Sequence, residues 1–214
     1  MNRRELLKNL GYTVGAAALT PTLLSTLQSC TQDPSWQPAI FPKNKIGFVN
    51  TLLDIILPKT DTPSASELNL IAFIDTYYDL VLNKMDQDRL LMGLDAFENM
   101  CLKETSKSSL AAVATDELEA QLSKYLRGSK EKTDQWNAAL YRYLDAVNKN
   151  IATNDVPEVP LAYDFAQTLR SRAVHAYKTN EFIGEEVRPY ASIPGQQKGC
   201  VDLQETTGGK SWSL

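Results

Sequence analysis

Along most of the chain, apolar residues recur every three or four positions rather than every second one, the period of helices buried along one face. Ile46, Val49, Leu52, Leu53 and Ile56 share one face of a helix that the spacing predicts from near Asn44 to Pro58, where proline has no amide hydrogen to continue the ladder. Lys59-Thr60-Asp61-Thr62-Pro63 is turn chemistry. Ser64-Ala65-Ser66-Glu67 reads as a capping box opening a second helix, whose broad stripe of Leu68, Ile71, Ile74, Tyr77, Tyr78 and Val81 predicts a central position. Asp86 is the expected cap of a third helix, with Leu90, Leu91, Leu94, Phe97 and Cys101 turned inward. Thr115 is the expected cap of a shorter one that runs to about Leu126 and stops at Gly128. Thr133-Asp134 opens a segment with Trp136, Leu140, Leu144 and Val147 in register. After the break at Val156-Pro157-Glu158-Val159-Pro160, a last helix runs from Leu161 to about Lys178, with Phe165, Leu169 and Val174 inward. No strand alternation and no repeat interrupts the pattern. The expected fold is all-α, one bundle of about five to six helices over residues 44–179.

The N-terminal segment breaks this pattern. Residues 1–29 combine a short cationic start with a weakly apolar stretch, the layout of an export signal that stands outside the fold. Arg3, Arg4, Leu6, Leu7 and Lys8 resemble the twin-arginine export motif. Leu27-Gln28-Ser29-Cys30 resembles a bacterial lipobox, in which the Cys30 thiol receives a lipid; the alternative is an ordinary cleavage site with an incidental cysteine. On the lipoprotein reading the chain is exported and held on the periplasmic face of a membrane. It then keeps 185 residues from Cys30 onward at a formal charge of −6. Residues 30–43 read as an extended tether, polar from Thr31 to Pro38 with prolines at 34 and 38.

Composition narrows the chemistry. With 22 Lys and Arg against 26 Asp and Glu and no basic stripe, nucleic acid is not an expected partner. A single histidine, His175, cannot build a two-His or three-His metal site, and its reading is an ordinary helix residue. The glycines form neither a dinucleotide fingerprint nor a phosphate loop. No catalytic, cofactor-binding or metal-binding residue is therefore expected in this chain. Asp75 and Asp79, four apart on a helix, read as a solvated face. Tyr141, Tyr143, Tyr163 and Tyr177 read as core or interface residues. With Cys30 acylated, Cys101 and Cys200 remain; in an oxidising compartment they either pair as a disulfide or stay separate, one of them buried in a helix.

Residues 180–214 form an irregular C-terminal strap, too rich in aromatics and glycine for a disordered tail, which needs a surface to lie on. Here the chain resembles the gluconate 2-dehydrogenase subunit 3 family in its Bacteroidetes-type form. The resemblance rests on Leu53-Asp54-Ile55-Ile56-Leu57-Pro58, the loop Thr60 to Ala65, and a tail with Tyr177, Thr179, Glu181, Gly184, Tyr190, Pro194-Gly195, Gly199-Cys200 and a closing Lys-x-Trp. It implies a non-catalytic small subunit that helps to export and assemble a large FAD-dependent dehydrogenase of the glucose-methanol-choline type, with a cytochrome c subunit as a further partner. FAD would belong to that large chain, and the tail residues just named would form the partner interface. The alternative is a free-standing envelope lipoprotein of the same fold that binds a small ligand or another envelope protein.

Overall fold

The computed structural model describes residues 36–149, 151, 156–190, 195 and 200–213. The chain divides into compact units at Gln37/Pro38, and the account below concerns Pro38 onward. The residues read as an export signal and Cys30 lie outside the described residues.

The architecture is all-α, with no strand among the described residues. The helices are α1 (Ile46–Ile56), α2 (Leu70–Val81), α3 (Lys84–Thr105), α4 (Thr115–Leu126), α5 (Lys130–Asn148), α6 (Glu158–Lys178) and a short α7 (Leu203–Thr207). Several starts differ from the sequence expectation, each for a local reason. The capping box at Ser64 forms, the Glu67 carboxylate accepting from the Ser64 amide at 3.0 Å, but it opens only an isolated turn. Asn69, at φ +48°, closes that turn in the left-handed conformation, with the Leu70 amide donating back to the Ala65 carbonyl. α2 then starts afresh at Leu70. The cap of α3 is Asn83, whose side chain accepts from the Asp86 amide at 3.0 Å. At α4 the Glu117 carboxylate reaches back to the Ala114 amide at 2.8 Å, which leaves Thr115 inside the first turn. Ser129, not Thr133, caps α5. α6 begins at Glu158 because Pro160 falls in the first turn, where a missing amide hydrogen breaks no bond.

The central element is α6 rather than α2. It packs against α1, α2, α3, α4 and α5. Its buried residues Leu161, Ala162, Phe165, Ala166, Leu169, Ala173 and Ala176 spread over much of its circumference, and the alanines let neighbours approach from several sides. The closest approach is to α3, at Gly93, where an added Cβ would lie 2.9 Å from Phe165 Cβ and 3.0 Å from the Leu161 carbonyl oxygen. Gly93→Ala is therefore expected to destabilise the fold by about 1 kcal/mol, the clash outweighing the helix propensity that alanine restores. A urea midpoint equal to or above that of the parent would show that the seam relaxes freely.

An aromatic group ties the layers together. The Phe97 ring lies 5.7 Å from both Tyr125 and Phe165 and 6.2 Å from Phe48. Trp136 extends the group to Tyr163 at 5.1 Å. α5 is the loosest member: Leu140 is buried as expected, but Tyr141 and Val147 are exposed. No described helix is long and apolar enough to cross a membrane.

Asp75 overturns its sequence reading. It is wholly buried, and its carboxylate accepts from the backbone amides of Ala39, Ile40 and Phe41 at 2.7, 3.0 and 2.8 Å. Phe41 is buried beside it, edge-on to Tyr78. The last residues of the stretch read as a tether are thus pinned to α2, where three converging N–H groups satisfy the buried carboxylate.

Candidate functional site

The loop between α1 and α2 and the base of the tail, far apart in sequence, meet in space. α1 stops at Ile56, and the Ala65 amide donates to the Leu57 carbonyl at 3.1 Å, folding the intervening loop into a closed excursion. The Asp54 carboxylate holds its far side by accepting from the Ser66 amide at 2.8 Å. Lys59 pairs with Glu67 across it at 2.5 Å, and the Lys59 charge and hydrogen bond, with the Ser64 amide, hold the Glu67 carboxyl below its ordinary range. The Tyr177 hydroxyl, on the last turn of α6, donates to Thr62 Oγ1 at 2.7 Å.

Beyond Tyr177 the described parts of the tail are joined by hydrogen bonds of their own. The Thr179 amide donates to the His175 carbonyl to close α6. The segment Ile183–Val187 forms one wide turn, with Ile183 and Gly184 buried. An added Cβ at Gly184 would meet Ser213 Oγ at 2.9 Å, so glycine there lets the end of the chain lie flat on the turn. Arg188 clamps that end, donating to Ser211 Oγ at 3.2 Å and to the Trp212 carbonyl. Lys210 reaches the Val187 carbonyl at 3.1 Å, and the Ser213 amide donates to the Pro189 carbonyl at 3.0 Å. Gly195 and Gly208 take positive φ values, 70° and 61°. Between strap and α6 lies a cavity of about 380 Å³ with mainly apolar walls from Val174, Tyr177, Ile183 and Val187, and a rim of Lys178, Arg188 and Lys210.

The strap presents unusual apolar surface. Phe182, Tyr190, Val201, Leu203 and Trp212 are each between 45% and 57% exposed. Exposed aromatic and aliphatic groups gathered on one segment with a cationic rim are what a protein-docking surface displays.

A family model, gluconate 2-dehydrogenase subunit 3, matches residues 43–195. The chain belongs to the gluconate 2-dehydrogenase subunit 3 family. The matched span contains both the α1–α2 loop and the base of the strap, so the Tyr177–Thr62 bond joins two parts of one family region. Membership makes the chain an accessory subunit of a dehydrogenase, associated with that enzyme's other subunits. No curated protein and no solved structure matches it.

The sequence-predicted tail residues divide in the family fold. Tyr177 and Gly184 belong to the internal packing of the strap. Glu181, Tyr190, Gly195 and Cys200 are exposed, and the Thr179 hydroxyl turns back to the His175 carbonyl. Pro194 and Gly199 lie outside the described residues. The disulfide considered from the sequence is not formed: Cys101 is buried in α3 and Cys200 is exposed on the strap, both as free thiols. Burial pushes the Cys101 thiol up to about 12, an inert state. His175 is exposed on α6, and no group of three acidic, histidine or cysteine side chains is placed to hold a metal among the described residues. Sequence reasoning missed Asp75, although an acid three residues before Tyr78 and four after Ile71, on a buried stripe, was the available signal.

Proposed function

We propose that this chain is a non-catalytic small subunit that helps to export and assemble a large FAD-dependent dehydrogenase of the glucose-methanol-choline type, acting on a sugar or sugar acid at the periplasmic face of a membrane. Anchoring is through a lipid on Cys30, with Arg3 and Arg4 directing the twin-arginine route, and a cytochrome c subunit is a further member of the assembly. The observation that carries the reading is the base of the strap, seated by Tyr177 on the α1–α2 loop within the family region, with Phe182, Tyr190 and, past that region, Trp212 exposed on the strap. A twin-arginine route passes folded cargo, so one signal can serve a cofactor-loaded partner.

The test is co-purification from the native host. Detergent-solubilised chain is expected to bring down a yellow flavoprotein, and truncation after Lys178 is expected to release it while circular dichroism still reports a helical bundle. Because Ile183 is buried, the surface variant Phe182→Glu provides a second reading with the core intact, and it should weaken association. Chain that emerges alone and colourless, or full retention of the partner by both variants, would refute the proposal.

A further inference from the structure

The cavity between the strap and α6 carries charge of one sign only. Lys178, Arg188 and Lys210 are among its lining residues and no acidic residue is, although residues 180–214 hold three basic side chains against five acidic. The imbalance is therefore local. Lys210 donates to the Val187 carbonyl, and Arg188 to Ser211 Oγ and the Trp212 carbonyl, all neutral acceptors that leave the positive charge unmatched. Among the described residues none of the three is within ion-pair distance of a carboxylate, whereas seven lysines elsewhere each have one. Glu181, Glu185 and Glu186 are exposed on and beside the Ile183–Val187 turn, yet none of them lines the cavity.

The walls have the opposite character. Val174 and Tyr177 supply one from α6, and Ile183 and Val187 the other from the turn, with Ile183 buried. At about 380 Å³ the space lies near the low end of the roughly 300–1,000 Å³ of pockets that enclose a whole small molecule. Phe182 and Trp212, chain neighbours of the lining residues Ile183 and Ser211, are exposed. A pocket of this size among exposed aromatics suits an anchor side chain projecting from a protein surface.

We propose that the cavity receives one large apolar side chain of the flavoprotein subunit, from a segment that carries acidic residues beside it. The assignment rests on the reading of the strap as the dock for that subunit. The apolar group fills the space between Val174, Tyr177, Ile183 and Val187, and the neighbouring carboxylates meet Lys178, Arg188 and Lys210 at the rim. The glutamates around the turn repel an acidic segment everywhere but at this mouth, which fixes its register.

The experiment uses the assembly purified from the native host. If no flavoprotein accompanies the parent chain, the docking reading itself fails and this assignment with it. With the flavoprotein present, Val174→Trp, which fills the cavity, should weaken its retention about tenfold or more. Joint reversal of Lys178→Glu and Lys210→Glu should do the same, and because both side chains are exposed the core stays intact. Lys132→Glu, an equal change of charge at the exposed start of α5, should leave retention as in the parent. Added salt should loosen the parent assembly and act less on the charge-reversed one. A photo-crosslinking residue at position 211 should capture a flavoprotein peptide in which an acid stands within two positions of a large apolar residue. Full retention by either cavity variant, an equal loss in Lys132→Glu, no difference in salt response, or a crosslink to phospholipid, to this chain itself or to a segment without acids would overturn the assignment while the co-purification stands.

Discussion

Asp75→Ala is expected to lower stability by about 4 kcal/mol, because it removes one buried carboxylate that accepts three backbone N–H groups, each charge-assisted bond contributing about 1.5–3 kcal/mol. The sum falls short of three full bonds because the bonds from Ala39 and Ile40 are only partly buried and those amides regain water when released. Asp75→Asn should lose about half as much, since one amide oxygen still accepts while the amide NH₂ faces donors. The local effect separates this from general core damage: hydrogen exchange at Ala39, Ile40 and Phe41 should accelerate far more than in α3 or α6. Uniform acceleration through the bundle would show that Asp75 stabilises the core rather than the entry of the chain. On the proposed lipid-anchored reading this entry matters, because any pull from a membrane reaches the bundle through Phe41 and Asp75.

Phe97→Ala should be as severe, at about 4 kcal/mol, in the range of 3–5 kcal/mol for deleting a buried phenylalanine. Its ring is fully buried and touches rings from α1, α4 and α6, so the cavity is walled by three helices that cannot all collapse into it. A chain of this size should lose roughly 10 °C in melting temperature. Phe97→Leu, which keeps most of the volume, should lose less than about 1.5 kcal/mol. Equal losses for the two variants in urea titrations would mean that ring geometry, not filled volume, holds the layers together.

Much of this fold is legible in the order of residues. The helical period places Val49, Leu52, Leu53, Ile71, Ile74, Tyr78, Leu90, Leu94, Phe97 and Cys101 on buried faces, because burial along one side of a helix demands that spacing whatever lies opposite. Proline at 58 marks the end of α1 for an equally local reason. Helix starts are less legible, since Asn83, Ser129 and Asn69 compete with neighbours of similar capping chemistry and the choice depends on where the packed helix must begin. The proline at 160 misled for the same reason, as a residue that breaks a helix interior is harmless in its first turn.

The site was legible only in its parts. The loop Thr60 to Pro63 and the tail from Tyr177 each stood out, and the loop and the tail as far as Gly195 fall in the gluconate 2-dehydrogenase subunit 3 family region. That they touch, through a bond between residues 115 positions apart, is a product of how α6 crosses the bundle. The sequence by itself determined the all-α class, the buried stripes and the family. Only the tertiary structure decided that α6 is central, that Asp75 is an anchor rather than a solvated acid, that Cys101 and Cys200 stay apart, and that Lys178, Arg188 and Lys210 rim one cavity. The reason is physical: periodicity records which face of a helix avoids water, but a buried polar group is defined by the partner that packing brings to it, and that partner lies anywhere in the chain.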